Sequence, residues 1–524
     1  MNIHRIRAVL TIVALLVVYT LQGATPRLVV AIMVDGLGSN ELEAYRHVMS
    51  ERGLLYLIGQ GVYSPASPCQ YQAYDIGTHY ASLFTGSTPR YHGIVSERFY
   101  SMVDDNIVSC IDDARYSGIN STLSVSPRLL QSTTLADQIK LTYPGSKVYS
   151  IGLRAESSII MGGHLADGAI WLDDATSRLA TTNFYNNGMP AWAEKVNNDS
   201  SILSLYRSAW HAGMPLYQYN YPTAVSYYGE NKPAFQKFSV TDHTQTLVHK
   251  LRRTPMVNDL MKDLAIRALR DEQLGTDNAP DMLCVEFSAR IPSEGSLLCA
   301  EKEDLMMRLD QNICRLIEAI DISVGLDNSI IIFAAPSTYT TPSTDMPDKI
   351  NHGIFKAERS MALLNAYLMA IYGQGRWVTG YYNQNIHLNK SLIEKSNIRY
   401  NEICDYTAQF ITEFSGVHSA MPAYQIRMAS SMPYDLPARM RNSHYKNRSG
   451  DVVFTLIPGY SETTLDGTIL APTLTTPSFP ASIIIPDVAP RRTKFSIEDI
   501  CTTVCSLLNI PPTNASVGNN IFSE

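Results

Sequence analysis

Residues 27–43 read RLVVAIMVDGLGSNELE: an apolar run ends on one carboxylate, Asp35, and passes into a glycine turn that opens a helix. Open α/β sheets place ligands at the carboxyl ends of buried strands, so Asp35 is a candidate metal- or phosphate-site residue. The competing reading is a turn acid that caps the following helix, with Gly36 and Gly38 supplying the tight turn. The cysteines point to no metal. Cys69, Cys110, Cys284, Cys299, Cys314, Cys404, Cys501 and Cys505 include no CxxC pair, which excludes a zinc ribbon. Their even number permits disulfides in an exported chain, whereas Cys501 and Cys505, four apart, share one helix face and are read as small packing hydrophobes.

The elements that must position Asp35 follow from the apolar pattern. Strand-like runs recur at Leu28 to Val34, Lys147 to Ile151, Met282 to Phe287, Ser329 to Ala334, Val452 to Leu456 and Ser482 to Ile485. Several are continuously apolar, as strands covered on both faces are. Helical stretches fall between them at Asn40 to about Gly59, Thr134 to Leu141, Ala300 to Ile320 and Ile497 to Leu508. Leu305, Leu309, Ile313, Leu316 and Ile320 repeat at helical spacing and give the third a sheet-facing side. Such alternation predicts an α/β fold with a mostly parallel central sheet flanked by helices. Stretches of about 176–275 and 340–450, rich in Tyr and Asn, read as two inserted cap or decorating regions. Among the 30 tyrosines, those in the insertions suggest a contact surface.

With 524 residues and 45% hydrophobic content the chain can bury a large core. The net charge of -7, from 42 basic and 49 acidic residues without a long single-sign run, argues against nucleic-acid binding. At the N-terminus Arg5 and Arg7 precede an apolar run of about 14 residues, with Gly23 and Ala24 behind it, as in a secretory signal. The division predicted is a signal peptide over 1–24 and one domain over 25–524, in a periplasmic or secreted protein. An uncleaved membrane anchor is the alternative.

Several stretches resemble the alkaline phosphatase superfamily, in particular its secreted bacterial zinc phosphomonoesterases with a threonine nucleophile, which are type I phosphodiesterase/nucleotide pyrophosphatase-like. They are VVAIMVDG (29–36), LFTGSTPRYHGI (83–94), SPRLLQSTTLADQIKL (126–141), KVYSIGLRAESSIIMGGHLADGAIWLDD (147–174), RLDQNICRLIEAID (308–321), RSGDVVFTLIPGY (448–460) and SIEDICTTVCSLLNI (496–510). The resemblance implies two zinc ions about 4 Å apart that share an in-line displacement at phosphorus, held by Asp and His.

Asp35 matches the first ligand, and after it the pattern fails. Ile291 and Gly295 stand where the resemblance implies an Asp and a His, and Pro336, Ser337 and Thr338 stand in place of an Asp-His-Gly turn. None of the 12 histidines lies between His249 and His352, and none follows His444, so a shifted register restores no His ligand in those segments. The nucleophile position falls on Ile76 or, with a one-residue gap, on Asp75; Thr78 is the nearby hydroxyl, read as a helix-start residue bonding backbone. Glu97, Arg154 and Glu156 occupy the positions that grip phosphate oxygens. Two carboxylates without zinc would repel a phosphate dianion by several kcal/mol, so Arg154 is expected to pair with Glu97 or Glu156. His92 and His164 are expected in structural hydrogen bonds, and Asp173 and Asp174 in a loop.

The resulting expectation is an exported protein of alkaline phosphatase fold that has lost its dinuclear zinc site, with Asp35 vestigial and capping the next turn. It would have no cofactor and would act as a binding or assembly component for a protein partner in the cell envelope. The alternative is an active hydrolase of phosphate or sulfate esters. It would use zinc held by ligands such as His352, His387 and His418, with Thr78, Asp75 and Arg154 as its catalytic candidates and a small-molecule phosphate ester as its substrate.

Overall fold

The computed structural model describes residues 25–523 except 73–74, 200–204, 206–209, 224–243, 293–297, 337–352, 430–431, 433–434, 458, 464–468, 473–477 and 487. The expected signal peptide over 1–24 lies outside the described residues, as do Gly295, Ser337, Thr338 and His352.

The Leu28–Asp35 strand is buried along its whole length. Leu28, Val30, Ile32 and Val34 pack into one core, and Val29, Ala31 and Met33 into another on the opposite face. That two-sided burial is why the run is continuously apolar. The strand pairs in parallel with Ser329–Ala334 on one side and Asp281–Ser288 on the other. Val148–Gly152 and Gly168–Leu172 extend the parallel set. Antiparallel Ser478–Ile484, with Val62–Pro68 beyond it, continues the sheet from Ser329–Ala334, and antiparallel Leu179–Thr182 continues it from Gly168–Leu172. Helices Pro255–Asp271 and Ala300–Ser323 cover the first face, the latter through the predicted Leu305, Leu309, Ile313, Leu316 and Ile320. Helices Ile76–Thr85, Leu135–Thr142, Ala155–Gly162 and Ile497–Leu507 cover the second. The α/β class read from the sequence stands.

Three local expectations are corrected. The helix expected from Asn40 to about Gly59 is broken into Ser39–Ala44, a short 3-10 turn Arg46–Val48, and Leu54–Gly59. The break wraps around buried Asp310, whose carboxylate accepts from Ser50 N at 3.0 Å and Leu54 N at 2.6 Å. Val452–Leu456 does not join the central sheet. It lies between Asn385–Leu388 and Val417–Pro422 in a separate antiparallel sheet whose edge is Val378–Tyr382. This sheet packs with helices Ala357–Tyr372 and Tyr400–Thr412 around a core of its own, including Leu364, Ile386, Ile403 and Phe454. Finally, the 176–275 stretch is more than decoration: its strand Leu179–Thr182 extends the central sheet, and its helix Pro255–Asp271 builds the main core.

Candidate functional site

Asp35 ends the Leu28–Asp35 strand opposite Ser288, and Met33 pairs with Glu286, so the side chains of Asp35 and Glu286 leave the sheet on one face. Two cations close on this face. Arg290, two residues past the Asp281–Ser288 strand, donates from Nε to Asp35 Oδ2 at 2.7 Å and from Nη2 to Oδ1 at 2.6 Å. Arg154 follows the Val148–Gly152 strand, and its Nη2 lies 3.8 Å from both Asp35 Oδ2 and Glu97 Oε1. Behind them Lys302 pairs with Glu41 at 2.9 Å and donates to the carbonyls of Gly36 and Ala289.

Asp35 therefore does not cap the next helix, which corrects the sequence reading. The cap belongs to Glu41, whose Oε2 accepts from Gly38 N at 2.8 Å. Both oxygens of Asp35 are taken by a planar guanidinium, a bidentate charge-assisted arrangement stronger than neutral N–H capping. Burial works to raise the Asp35 pKa. Arg290 outweighs it, with Arg154 and Lys302 adding to the effect, and the carboxyl lies below its ordinary value.

Arg154 takes Glu97 of its two expected partners, together with Asp35, which the sequence reading did not foresee. Glu156 instead accepts from Ser109 Oγ at 3.4 Å. Glu97 also accepts from Gly77 N at 3.1 Å, and burial pushes its pKa up to about 8 although Arg154 acts in the opposite direction. Two more residues were missed. Glu286 accepts from Tyr80 OH at 2.9 Å, Leu153 N at 2.7 Å and Ser157 Oγ, and burial raises its pKa. A charge inside the apolar LCVEFS run was its signal, because a buried carboxylate needs several donors. Arg290 had a signal too: any buried Asp35 without metal needs a cation, and ARIPSEGSL supplies one.

Asp75 is the N-cap of the Ile76–Thr85 helix. Its Oδ1 accepts from Thr78 N at 3.1 Å and Thr78 Oγ1 at 2.9 Å, while Oδ2 accepts from Ser96 Oγ and from Glu97 N at 2.6 Å. Thr78 thus bonds a carboxylate rather than backbone. The hairpin of the second sheet reaches this spot. Its two-residue tip, Asn383 and Gln384, has the paired positive φ of a type I′ turn, and Asn383 Nδ2 donates to Ser96 Oγ at 2.8 Å.

Four of the other candidates are held in hydrogen bonds of their own. His92 Nε2 lies 3.0 Å from Ser82 Oγ and its Nδ1 accepts from Ile94 N; His164 bonds Asp137 at 2.9 Å and the Leu130 carbonyl. Asp173 accepts from Ala175 N and Thr176 N, and Asp174 pairs with Arg252 at 2.8 Å. His387 is buried against the Tyr100 ring, and His418 is exposed on the Val417–Pro422 strand.

Among the described residues the donor set does not fit a dinuclear zinc centre. Both oxygens of Asp35 are engaged by Arg290, Ile291 packs against the apolar core, and Pro336 presents its carbonyl to Gly36 N at 3.3 Å. Among the described residues no three His, Cys, Asp or Glu side chains converge as a metal site.

A sheet with ligand-end carboxylates, helices on both faces and a second sheet reaching over one rim defines an alkaline-phosphatase-like α/β protein. The type I phosphodiesterase / nucleotide pyrophosphatase family model matches residues 29–468, and the chain belongs to that family. It is 27% identical over 516 residues to a calcium-transporting ATPase of Myroides odoratus, covering 95% of this chain and 94% of the relative. It is 26% identical over 449 residues to alkaline phosphatase PafA of Elizabethkingia meningoseptica, covering 83% and 82%. The crystal structure of wild-type PafA matches with a TM-score of 0.83 at 24% identity, over 95% of this chain and 98% of that one. Among the described residues no helix is long and apolar enough to cross a membrane.

Proposed function

We propose that this family member is an exported alkaline-phosphatase-fold protein in which an arginine–carboxylate cluster replaces the dinuclear zinc centre. It serves as a binding or assembly component for a protein partner in the cell envelope. The observation that carries the reading is the Arg290 fork on Asp35. A guanidinium that donates to both oxygens of Asp35 supplies the positive charge a metal would supply, and it offers no open coordination position for a phosphoryl oxygen. Arg154, 3.8 Å from Asp35, extends the same compensation, so an incoming phosphate dianion meets cations already committed to that carboxylate.

The names of the phosphatase relatives favour a second reading, an ester hydrolase with a non-standard metal set. One experiment separates the two. The purified full chain is assayed for zinc by elemental analysis and for p-nitrophenyl phosphate turnover, alongside Asp35→Asn. The proposal expects zinc well below one equivalent and no turnover above buffer. Two tightly held equivalents, with turnover lost in Asp35→Asn, would overturn it.

A further inference from the structure

Away from the Asp35 cluster, the second sheet carries a cavity of about 480 Å³ between the Lys390–Lys395 helix, the start of the Tyr400–Thr412 helix, the Ala423–Met428 helix and the 444–451 loop. Its residues share none with the cluster. Asp451, buried, accepts from Leu388 N at 2.8 Å, from Tyr400 OH, and from Lys390 Nζ at 3.1 Å, so one acid and one base of the cavity are mutually neutralised and fixed. The remaining charged lining is Arg427, Lys446 and Glu394, all exposed. Arg427 and Lys446 have no carboxylate within ion-pair distance among the described residues, in a chain whose net charge is -7. Ile393, Ile398 and Ala423 give the cavity an apolar side. His444 also lines it; the side chain is 6% exposed, and Nε2 is buried without a hydrogen-bond partner among the described residues. That nitrogen exposes no surface to the cavity, so it is not offered to a ligand there.

We infer that this cavity binds a small organic anion. Its carboxylate or phosphate head would meet Arg427 and Lys446, and its ring or acyl body would lie on Ile393 and Ile398. A concave site with an apolar side and two uncommitted cations, against one exposed carboxylate at Glu394, can hold such a ligand by its charged head and its apolar body. The inference goes beyond the proposed function and does not depend on it, since neither Asp35 nor its partners take part.

The test uses the full chain and three probes matched in their ring: phenyl phosphate, benzoate and benzyl alcohol, titrated by isothermal calorimetry and by ligand-observed NMR. Either anion, or both, is expected to bind and the neutral alcohol to bind far more weakly; which anion binds better identifies the head group. Removing one charged donor, in Arg427→Ala or Lys446→Ala, is expected to weaken the anion about tenfold. Both positions are exposed, so the variants retain the fold, which circular dichroism verifies. Absence of binding by both anions, equal binding by the alcohol, or unchanged affinity in the Arg427→Ala/Lys446→Ala double variant would each overturn the inference.

Discussion

Gly36 leaves the space that Arg290 fills: a Cβ on Gly36, whose φ is +79°, would lie 2.6 Å from Arg290 Cγ. The turn after the Asp35 strand and the arginine that neutralises Asp35 are thus one unit, and a strand-end glycine serves the approach of a side chain rather than of a ligand. Removing the arginine strips the buried carboxylate of its bidentate partner, and breaking a buried pair in this way costs about 3–5 kcal/mol. Arg290→Ala is therefore expected to lower urea-unfolding stability by that order, while Asp35→Asn/Arg290→Met recovers most of it. The Asp35 pKa lies below its ordinary value in the folded chain, so its contribution is present above the ordinary carboxylate range and is lost as pH falls through the folded value. A loss in Arg290→Ala no larger than for a surface substitution would contradict this role.

How much of this was legible in the sequence depends on whether the signal was local. The Leu28–Asp35 and Ser329–Ala334 strands and the Ala300–Ser323 helix were readable, because two-sided burial and helical spacing write themselves into consecutive residues. The break after Ala44 was not, because Asp310, which causes it, lies more than 250 residues away. The same holds for the site. The absence of ligands at Ile291 and Pro336 could be read position by position, but the pairing of Arg290 with Asp35 spans 255 residues and depends on strand register. Nothing local in SIIIFAA or VVFTL distinguishes a central strand from one in a second sheet; both are short apolar runs.

Glu97 predicts a pH dependence. Burial pushes its pKa from 4.5 up to about 8, against the opposing pull of Arg154. Between those values the unfolded chain has released this proton and the folded chain retains it, so its contribution to stability is full below 4.5 and falls as pH rises towards 8. Glu97→Gln keeps the shape and cannot titrate. The difference between wild type and variant, measured by chemical unfolding at several pH values, is expected to decline across this window. Parallel curves would show that Glu97 is ionised throughout. Glu462 and Glu498, also raised by burial to about 7, are present in both proteins and cancel in the comparison.

Asp75 and Thr78 predict a hierarchy of stability. Asp75 holds the helix start, Thr78, Ser96 and Glu97 N together, whereas Thr78 adds only its hydroxyl to that network. Loss of an N-cap costs about 0.5–2 kcal/mol, so Asp75→Ala is expected at or above the top of that range because three further donors lose their acceptor. Thr78→Ser is expected to be near neutral. A Thr78→Ser variant as damaging as Asp75→Ala would show that the threonine methyl, packed in a fully buried site, matters more than the cap.

The cysteines give a chemical readout of the same packing. All eight are unpaired, seven are buried, and Cys314 alone is partly exposed, on the outer side of the Ala300–Ser323 helix with Sγ 3.7 Å from Glu318. Cys501, whose spacing from Cys505 predicted packing rather than bonding, donates from Sγ to the Phe84 carbonyl at 3.4 Å inside the core. Reaction requires an accessible thiolate, so N-ethylmaleimide on the native protein is expected to add once, at Cys314. The addition should be slow, because burial, reinforced by Glu318, raises that thiol's pKa. Peptide mapping by mass spectrometry after denaturation should then find eight reactive thiols without prior reduction. Fewer than eight would reveal a disulfide. Native labelling at Cys501 or Cys505 would mean that the final helix opens from the sheet far more readily than its buried face allows.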